Sequence, residues 1–160
     1  MNTIDILLIV LVIGVVALET KRGFGKVIFD FVALLVTVRG VSLLAPSAAR
    51  AIHLAKDAPA NEAIWFAVLF AVVGGILLYI GKLAYDATLI SLDTFDPFLG
   101  GVFGFGVAVM IGHVIVKALA IAAHTNGAPP EILANSRLGM EFYQFVTYHK
   151  VMHFLSSLGE

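Results

Sequence analysis

Four residues whose side chains carry or take up charge lie inside long apolar stretches of this sequence. They are Asp30, Arg39, His113 and Lys117. An ionisable side chain in a membrane segment is costly and usually faces the protein interior or water. Asp30 and Arg39 are nine positions apart, which places them on opposite sides of one helix and prevents them from pairing. We interpret Asp30 as reaching the lipid headgroups and Arg39 as snorkelling to the far interface; the alternative is a binding site.

Histidines supply the other candidate chemistry. His113, Lys117 and His124 fall on one helix face, where a buried His–Lys pair would relay protons or bind an anion. The alternative, which we favour, is that Lys117 snorkels and His113 bonds a neighbouring carbonyl. His149 and His153 have the spacing of a two-histidine metal site, but no Glu-containing zinc motif surrounds them. We therefore predict no metal site and no cofactor.

The sequence offers no pattern for enzymatic catalysis. The glycines of segment 101–106 follow no strand and do not match a dinucleotide fingerprint. No serine, histidine and acidic residue stand in a recognisable nucleophile context. The absence of cysteine excludes disulfides and thiolate chemistry, and the net charge of -1 gives no bulk attraction to nucleic acid. We predict a protein that is not an enzyme and does not bind nucleic acid.

The composition indicates which elements must position these residues. The chain has 160 residues, of which 60% are hydrophobic and 13% are charged. Soluble domains contain about 45–50% apolar and about 25% charged residues. A chain this short cannot bury so much apolar surface away from water. The sequence therefore predicts an all-α integral membrane protein in contact with the lipid bilayer.

Four apolar stretches approach the length of about 20 residues that a membrane-spanning helix needs. They cover residues 4–18, 27–45, 64–81 and 98–123. The third and fourth are predicted to span the membrane, whereas the first two form either spans or a shallow, tilted hairpin. We do not interpret the first stretch as a signal peptide, because no Lys or Arg precedes it and no small-residue cleavage site follows it.

The C-terminal part of the chain has a different pattern. From about Ser136 to Leu158, apolar residues recur at three- and four-residue spacing, which predicts an amphipathic helix with Asn135 or Ser136 as its cap. This helix lies in the membrane interface or packs on the bundle. We accordingly divide the chain into a four-span transmembrane domain, residues 1–125, and a linker with the amphipathic C-terminal helix, residues 126–160.

The connection between the first two apolar stretches predicts the orientation in the membrane. It is short, and it contains Lys21, Arg22 and Lys26 around a tight turn with two glycines. Lys and Arg concentrate in loops on the cytoplasmic side. We therefore predict that this loop is cytoplasmic and that, with four spans, both termini lie on the other side.

Small residues recur every four positions along two of the predicted spans. The fourth span carries Gly100, Gly104, Ala108 and Gly112, and the third carries Ala67, Ala71 and Gly75. Residues four apart share one helix face, and small side chains let helix backbones approach closely in lipid. We predict that these faces pack against each other or against copies of the chain. The alternative is that the glycine-rich face lines a pore.

Three groups of residues resemble the colicin V production protein family of bacterial inner-membrane proteins. Asp5 precedes the first apolar helix, and Arg22-Gly23 stands at the turn before the second. The last span opens with Asp96, Leu99, Gly100 and Gly104 in the family's Asp-x-x-Leu-Gly-x-x-x-Gly spacing. The segment 135–138 also resembles the family's tail, where a Ser precedes a Leu by two. The family often has Arg-Gly where this chain has Val107-Ala108.

The resemblance implies a multi-pass protein of the bacterial inner membrane, linked to colicin V production or export and to envelope phenotypes. It implies no established reaction. We predict a non-enzymatic protein that supports toxin secretion or envelope assembly through contacts with other membrane proteins or with itself. The alternative is a small homo-oligomeric channel or transporter lined by the glycine-rich fourth helix.

Overall fold

The computed structural model describes residues 2–88, 95–123 and 130–145. Its elements are α1 (Thr3–Arg22), α2 (Phe24–Ala51), α3 (Ala58–Thr88), α4 (Asp96–Ala122), α5 (Glu131–Ala134) and α6 (Arg137–Gln144). These ranges contain no strand, so the all-α prediction is confirmed. The predicted features at His124, at His149 and His153, and in the C-terminal helix beyond residue 145 lie outside the described residues.

Helices α1 to α4 are each long and apolar enough to cross a membrane. The 20 residues of α1 extend about 30 Å at a rise of about 1.5 Å per residue, which matches a bilayer core. The first apolar stretch is shorter than this helix because the charged residues Glu19 and Arg22 follow it. Both of these residues belong to α1, so the helix extends beyond the apolar stretch. The prediction of about four helices that are able to span a membrane is confirmed, and the first two apolar stretches are among them.

The connection between α2 and α3 is shorter than the apolar stretches indicated. Helix α2 continues through Pro46 to Ala51, and α3 begins at Ala58. The buried Asn61 side chain explains how the two helix ends close together. Its amide donates to the carbonyl of Ala49 at 2.7 Å and accepts from the amide of Leu54 at 2.7 Å, so it satisfies backbone groups that a helix end leaves open.

A single residue, Gly23, separates α1 from α2. Its φ of 79° lies in the region that side chains with a Cβ atom rarely adopt. The two helices diverge from this turn, and along their lengths they make few contacts with each other. The space is filled by α4, which packs against α1, α2 and α3, while α2 also packs along α3.

The interior of the bundle consists of three apolar clusters along α4. Near the middle of α4, Val107 packs with Val27 and Leu34 of α2, and farther along Val114 packs with Phe66 of α3. The third cluster joins Ile4 and Leu8 of α1, Val116 and Ala120 of α4, and Leu133 and Phe142 of the tail. The outer surface is apolar as well, as expected for helices surrounded by lipid.

The short helices α5 and α6 pack on α1 and α4 at the end of the bundle that holds the N-terminus. Of the two predicted arrangements of the C-terminal helix, the described part has the one packed on the bundle. Ser136 caps α6 by accepting a hydrogen bond from the amide of Gly139 at 2.8 Å. Helix α6 ends at Gln144, because the next residue, Phe145, has a left-handed backbone conformation; the helix predicted from about Ser136 to Leu158 is therefore interrupted here.

Candidate functional site

At the α1–α2 turn, one arginine joins two acidic residues. The Arg22 guanidinium donates a hydrogen bond to Glu19 Oε1 at 2.7 Å, and the same nitrogen forms an ion pair with Asp30 Oδ2 at 2.9 Å. We call these three residues the turn cluster. Asp30 is buried and points to Arg22, not to the headgroups as the sequence suggested. The one-residue turn is the reason, because it brings the last residue of α1 beside the first turns of α2.

Glu19 is the member of the turn cluster that the sequence analysis missed. Its side chain is 8% exposed, and its second carboxylate oxygen, Oε2, is buried without a hydrogen-bond partner among the described residues. A buried charged oxygen without a partner is costly. Glu19 stands at the end of an apolar stretch, where the sequence indicates a side chain that lies among the lipid headgroups. Its burial depends on the approach of α4, which the sequence does not show.

Helix α4 reaches the turn through its glycines. A Cβ atom on Gly104 would lie 2.6 Å from Glu19 Cβ, and one on Gly100 would lie 3.2 Å from the Glu19 carbonyl oxygen. At the start of α4 the Asp96 side chain lies against Gly23, and Leu99 is half-buried. The structure thus brings together residues that the sequence analysis had noted in separate motifs.

At the opposite end of the bundle, Asp5 joins the N-terminus to the tail. Asp5 Oδ2 accepts from the backbone amide of Asn2 at 2.8 Å. Asp5 Oδ1 accepts from the Ser136 hydroxyl at 2.6 Å and from the amide of Leu138 at 3.0 Å. We call Asn2, Asp5 and Ser136 the tail clamp. The Asn2 side chain adds a hydrogen bond to the carbonyl of Ile132 at 3.0 Å.

The family model for the colicin V production protein matches residues 4–147 of this chain. That span includes the whole turn cluster and two of the three tail-clamp residues. The chain belongs to the colicin V production protein family. The resemblance seen in the sequence is therefore confirmed. No curated protein and no solved structure matches the chain.

This member of the colicin V production family departs from the family pattern at Val107-Ala108, and the structure shows what these residues do. Both are buried, with exposed fractions of 2% and 0%. Val107 packs with Val27 and Leu34 in the cluster between α2 and α4. An arginine at either position would have to enter this apolar contact, so any function of the family's Arg is absent from this position.

Farther along α4, the small residues are covered from within the chain. Ala108 is fully buried, and a Cβ atom on Gly112 would lie 2.7 Å from the Phe142 ring. Together with Gly100 and Gly104, they form a face that α1 and the tail occupy. In the single chain this face does not line an opening.

The small residues of α3 are placed differently. Ala67, Ala71 and Gly75 are exposed, and a Cβ atom on Gly75 would meet nothing within 4 Å. Gly74 faces inward instead, where its Cβ would lie 3.3 Å from Thr37 Cγ2. Phe66 lies on the same side of α3 as Gly74 and packs against α2 and α4. This side of α3 therefore faces the interior of the bundle. The predicted contact between the two small-residue faces is therefore not made within one chain.

The remaining ionisable residues of the spans do not form a joint site. His113 Nδ1 donates to the carbonyl of Phe142 at 2.6 Å, while Lys117 Nζ donates to Ser42 Oγ at 2.9 Å. The two side chains thus contact different helices, and Arg39 is exposed on α2. Within the described ranges, no group of three or more His, Cys, Asp or Glu side chains could hold a metal ion.

Proposed function

We propose that this protein is a non-enzymatic component of the bacterial inner membrane that supports toxin production or secretion, or envelope assembly, through helix–helix contacts. Family membership links the chain to colicin V production. One observation carries the proposal further: the family-like residues meet at joints between helices. Gly23 meets the start of α4, Arg22 joins α1 to α2 through Asp30, and Asp5 meets the tail. Such joints fix the shape of a bundle.

The outer face of α3 supports a contact with another membrane protein or a second copy. Ala67, Ala71 and Gly75 remain exposed there at the spacing of one helix face. Helices in lipid associate by close packing over small side chains, because lipid is as apolar as the helices themselves. A stable bundle that leaves such a face uncovered suits a protein that works by assembly.

A homo-oligomeric channel is the second candidate. The sequence predicted that the glycine-rich face of α4 would line its pore. In the single chain, however, Glu19 and Phe142 cover that face. A pore along it would require α1 and α6 to move away from α4 and to expose Asp5 and Glu19. The contact protein needs no such rearrangement, and we therefore place it first.

The test uses a strain that makes colicin V and lacks its own copy of this protein. The parent chain should restore extracellular toxin, and it should purify in mild detergent as a complex larger than one chain. Ala71→Leu, on the exposed face of α3, should reduce both, whereas the matched Ala17→Leu on the exposed surface of α1 should reduce neither. A single-chain mass for the parent, with full toxin export by both variants, would contradict the proposal. Solute flux through liposomes containing the protein would favour the channel.

A further inference from the structure

Lys117 lies where α2, α3 and α4 meet, and its ammonium group has capacity for a ligand. It donates to Ser42 Oγ of α2 at 2.9 Å and lies 5.5 Å from the centre of the Phe66 ring of α3. An ammonium group has three N–H donors, so its bond to Ser42 leaves two donors for a ligand. Lys117 and Ser42 are half-buried and not enclosed, and a ligand can therefore reach them from the outer surface of the bundle.

The charges around Lys117 leave a positive excess. Arg39 of α2 and Glu62 of α3 both act on Lys117 through space. Arg39 stands three positions before Ser42 and shares its face of α2. Two cations and one carboxylate leave one positive charge in excess, and among the described residues neither Lys117 nor Arg39 forms an ion pair. The neighbouring His113 bonds to the tail instead. The ligand that suits this position is therefore an anion.

The neighbouring residues indicate the depth of this position in the membrane. Glu62 stands two positions before the apolar stretch of α3, which begins at Ile64. Beside it in α3, the Trp65 indole nitrogen donates to the carbonyl of Ile52, the residue that caps the end of α2. Tryptophan favours the membrane–water interface, and a lysine near a helix end extends its ammonium group toward that interface. The anion present at this depth is the phosphate of a phospholipid headgroup.

We propose that Lys117, Arg39 and Ser42 bind the phosphate group of a phospholipid. The two cations donate charge-assisted hydrogen bonds to the phosphate oxygens. The Ser42 hydroxyl accepts from Lys117 and donates its own hydrogen to the phosphate. The excess positive charge favours a lipid with a net negative charge, such as phosphatidylglycerol, over the zwitterionic phosphatidylcholine.

The bound lipid would join two helices that these side chains do not otherwise connect. Lys117 and Arg39 have no common hydrogen-bond partner in the described part of the chain, so the phosphate would be the group that links Arg39 of α2 to Lys117 of α4. A ligand that binds the folded state stabilises it, and thermal unfolding therefore reports on the site. The inference goes beyond the proposed function, because a bound lipid is compatible with a contact protein and with a channel.

The experiment follows the melting temperature of the full chain in a neutral detergent. Separate samples are titrated with phosphatidylglycerol, with phosphatidylcholine and with inorganic phosphate, the last against chloride at the same ionic strength. Phosphatidylglycerol should raise the melting temperature to a plateau, at a lower mole fraction than phosphatidylcholine. The absence of a plateau with phosphatidylglycerol would overturn the proposal. An equal rise with inorganic phosphate would overturn the lipid as the source of the phosphate group.

The variants test whether these residues form the site. Arg39→Gln and Lys117→Gln should each weaken phosphatidylglycerol binding by about tenfold, because each removes a charged donor, whereas Arg39→Lys keeps the charge and should lose less. Arg39 is exposed, so its variants should fold like the parent. Arg50→Gln, at another exposed basic position of α2, is the control and should bind like the parent. Parent-like binding by Arg39→Gln and Lys117→Gln would overturn the site. An equal loss in Arg50→Gln would overturn it in favour of a general attraction between basic residues and anionic lipid.

Discussion

Asp5 shows how one side chain can join distant parts of the chain. It accepts hydrogen bonds from Asn2 at the start of α1 and from Ser136 and Leu138 in the tail. Hydrogen bonds to an ionised acceptor are stronger than those between neutral groups. Asp5 is buried, so its lost partners would not be replaced freely by water. The tail clamp therefore holds α6 against the bundle.

A double-mutant cycle tests the tail clamp. Asp5→Ala and Ser136→Ala should each lower the melting temperature in detergent by several degrees. The double variant should lose less than the sum, because both changes remove the same hydrogen bond. Asp86→Asn, at an exposed position, is the control and should have no effect. Additive losses would mean that Asp5 and Ser136 stabilise the protein separately.

Arg22 and Arg39 give a second comparison at the residue scale. Arg22 Nη1 contacts two carboxylates, whereas Arg39 is exposed on the outer surface of α2. A lysine can snorkel like an arginine but lacks the planar guanidinium. We expect Arg22→Lys to lower the free energy of unfolding by about 1–3 kcal/mol and Arg39→Lys to change it little. Chemical unfolding at equal membrane levels measures both. Loss of function in Arg39→Lys at normal stability would instead place Arg39 in a site.

At the scale of elements, α4 organises the bundle. Its glycines let α1 approach so closely that Glu19 is buried, and Gly112 gives room to Phe142 of the tail. Small residues alone did not identify such a contact, because α3 carries a similar series on its exposed side. What distinguishes α4 is that bulky side chains from other elements fill the space above its glycines.

A matched pair of glycines tests this contact. A Cβ atom on Gly104 would overlap Glu19 Cβ, whereas one on Gly75 meets open space. Gly104→Ala should therefore lower the free energy of unfolding by about 1–3 kcal/mol, the usual cost of overpacking. Gly75→Ala should be neutral or slightly stabilising, since alanine favours helix. Thermal unfolding in the same detergent compares them. Equal stability of the two variants would show that α1 can move away from position 104 without a loss in the free energy of unfolding.

At the scale of the whole molecule, the four spans place the α1–α2 turn and the start of α4 at one end. The N-terminus and α6 lie together at the other end, joined by the tail clamp. This arrangement requires the N-terminus and α6 to be on the same side of the membrane. It does not select the side, which depends on the basic residues of the first loop. One of them, Arg22, forms ion pairs with two acidic residues, so within the described residues Lys21 and Lys26 are the basic residues of this loop that form no ion pair.

The topology prediction follows from those lysines. We expect the α1–α2 loop to be cytoplasmic and the C-terminus to be periplasmic. A C-terminal reporter that is active only outside the cytoplasm should be active, and one that is active only inside should be silent. Lys21→Glu with Lys26→Glu should weaken this orientation, whereas Lys82→Glu near the end of α3 should have a smaller effect. The opposite pattern of reporter activity would reverse the orientation.

The sequence by itself determined the all-α membrane class, the four apolar stretches and the family. Lipid supplies no hydrogen bonds, so long apolar stretches must form helices that satisfy their own backbone groups. Only the tertiary structure decided which faces of those helices meet. In lipid both faces of a helix are apolar, and the pattern therefore carries little information about inside and outside. For that reason the sequence left open whether the small face of α3 meets α4 or a copy of the chain, and within one chain it does not meet the small face of α4. For the same reason the burial of Glu19 and the clamp between Asp5 and Ser136 became visible only when α4 and the tail were in place.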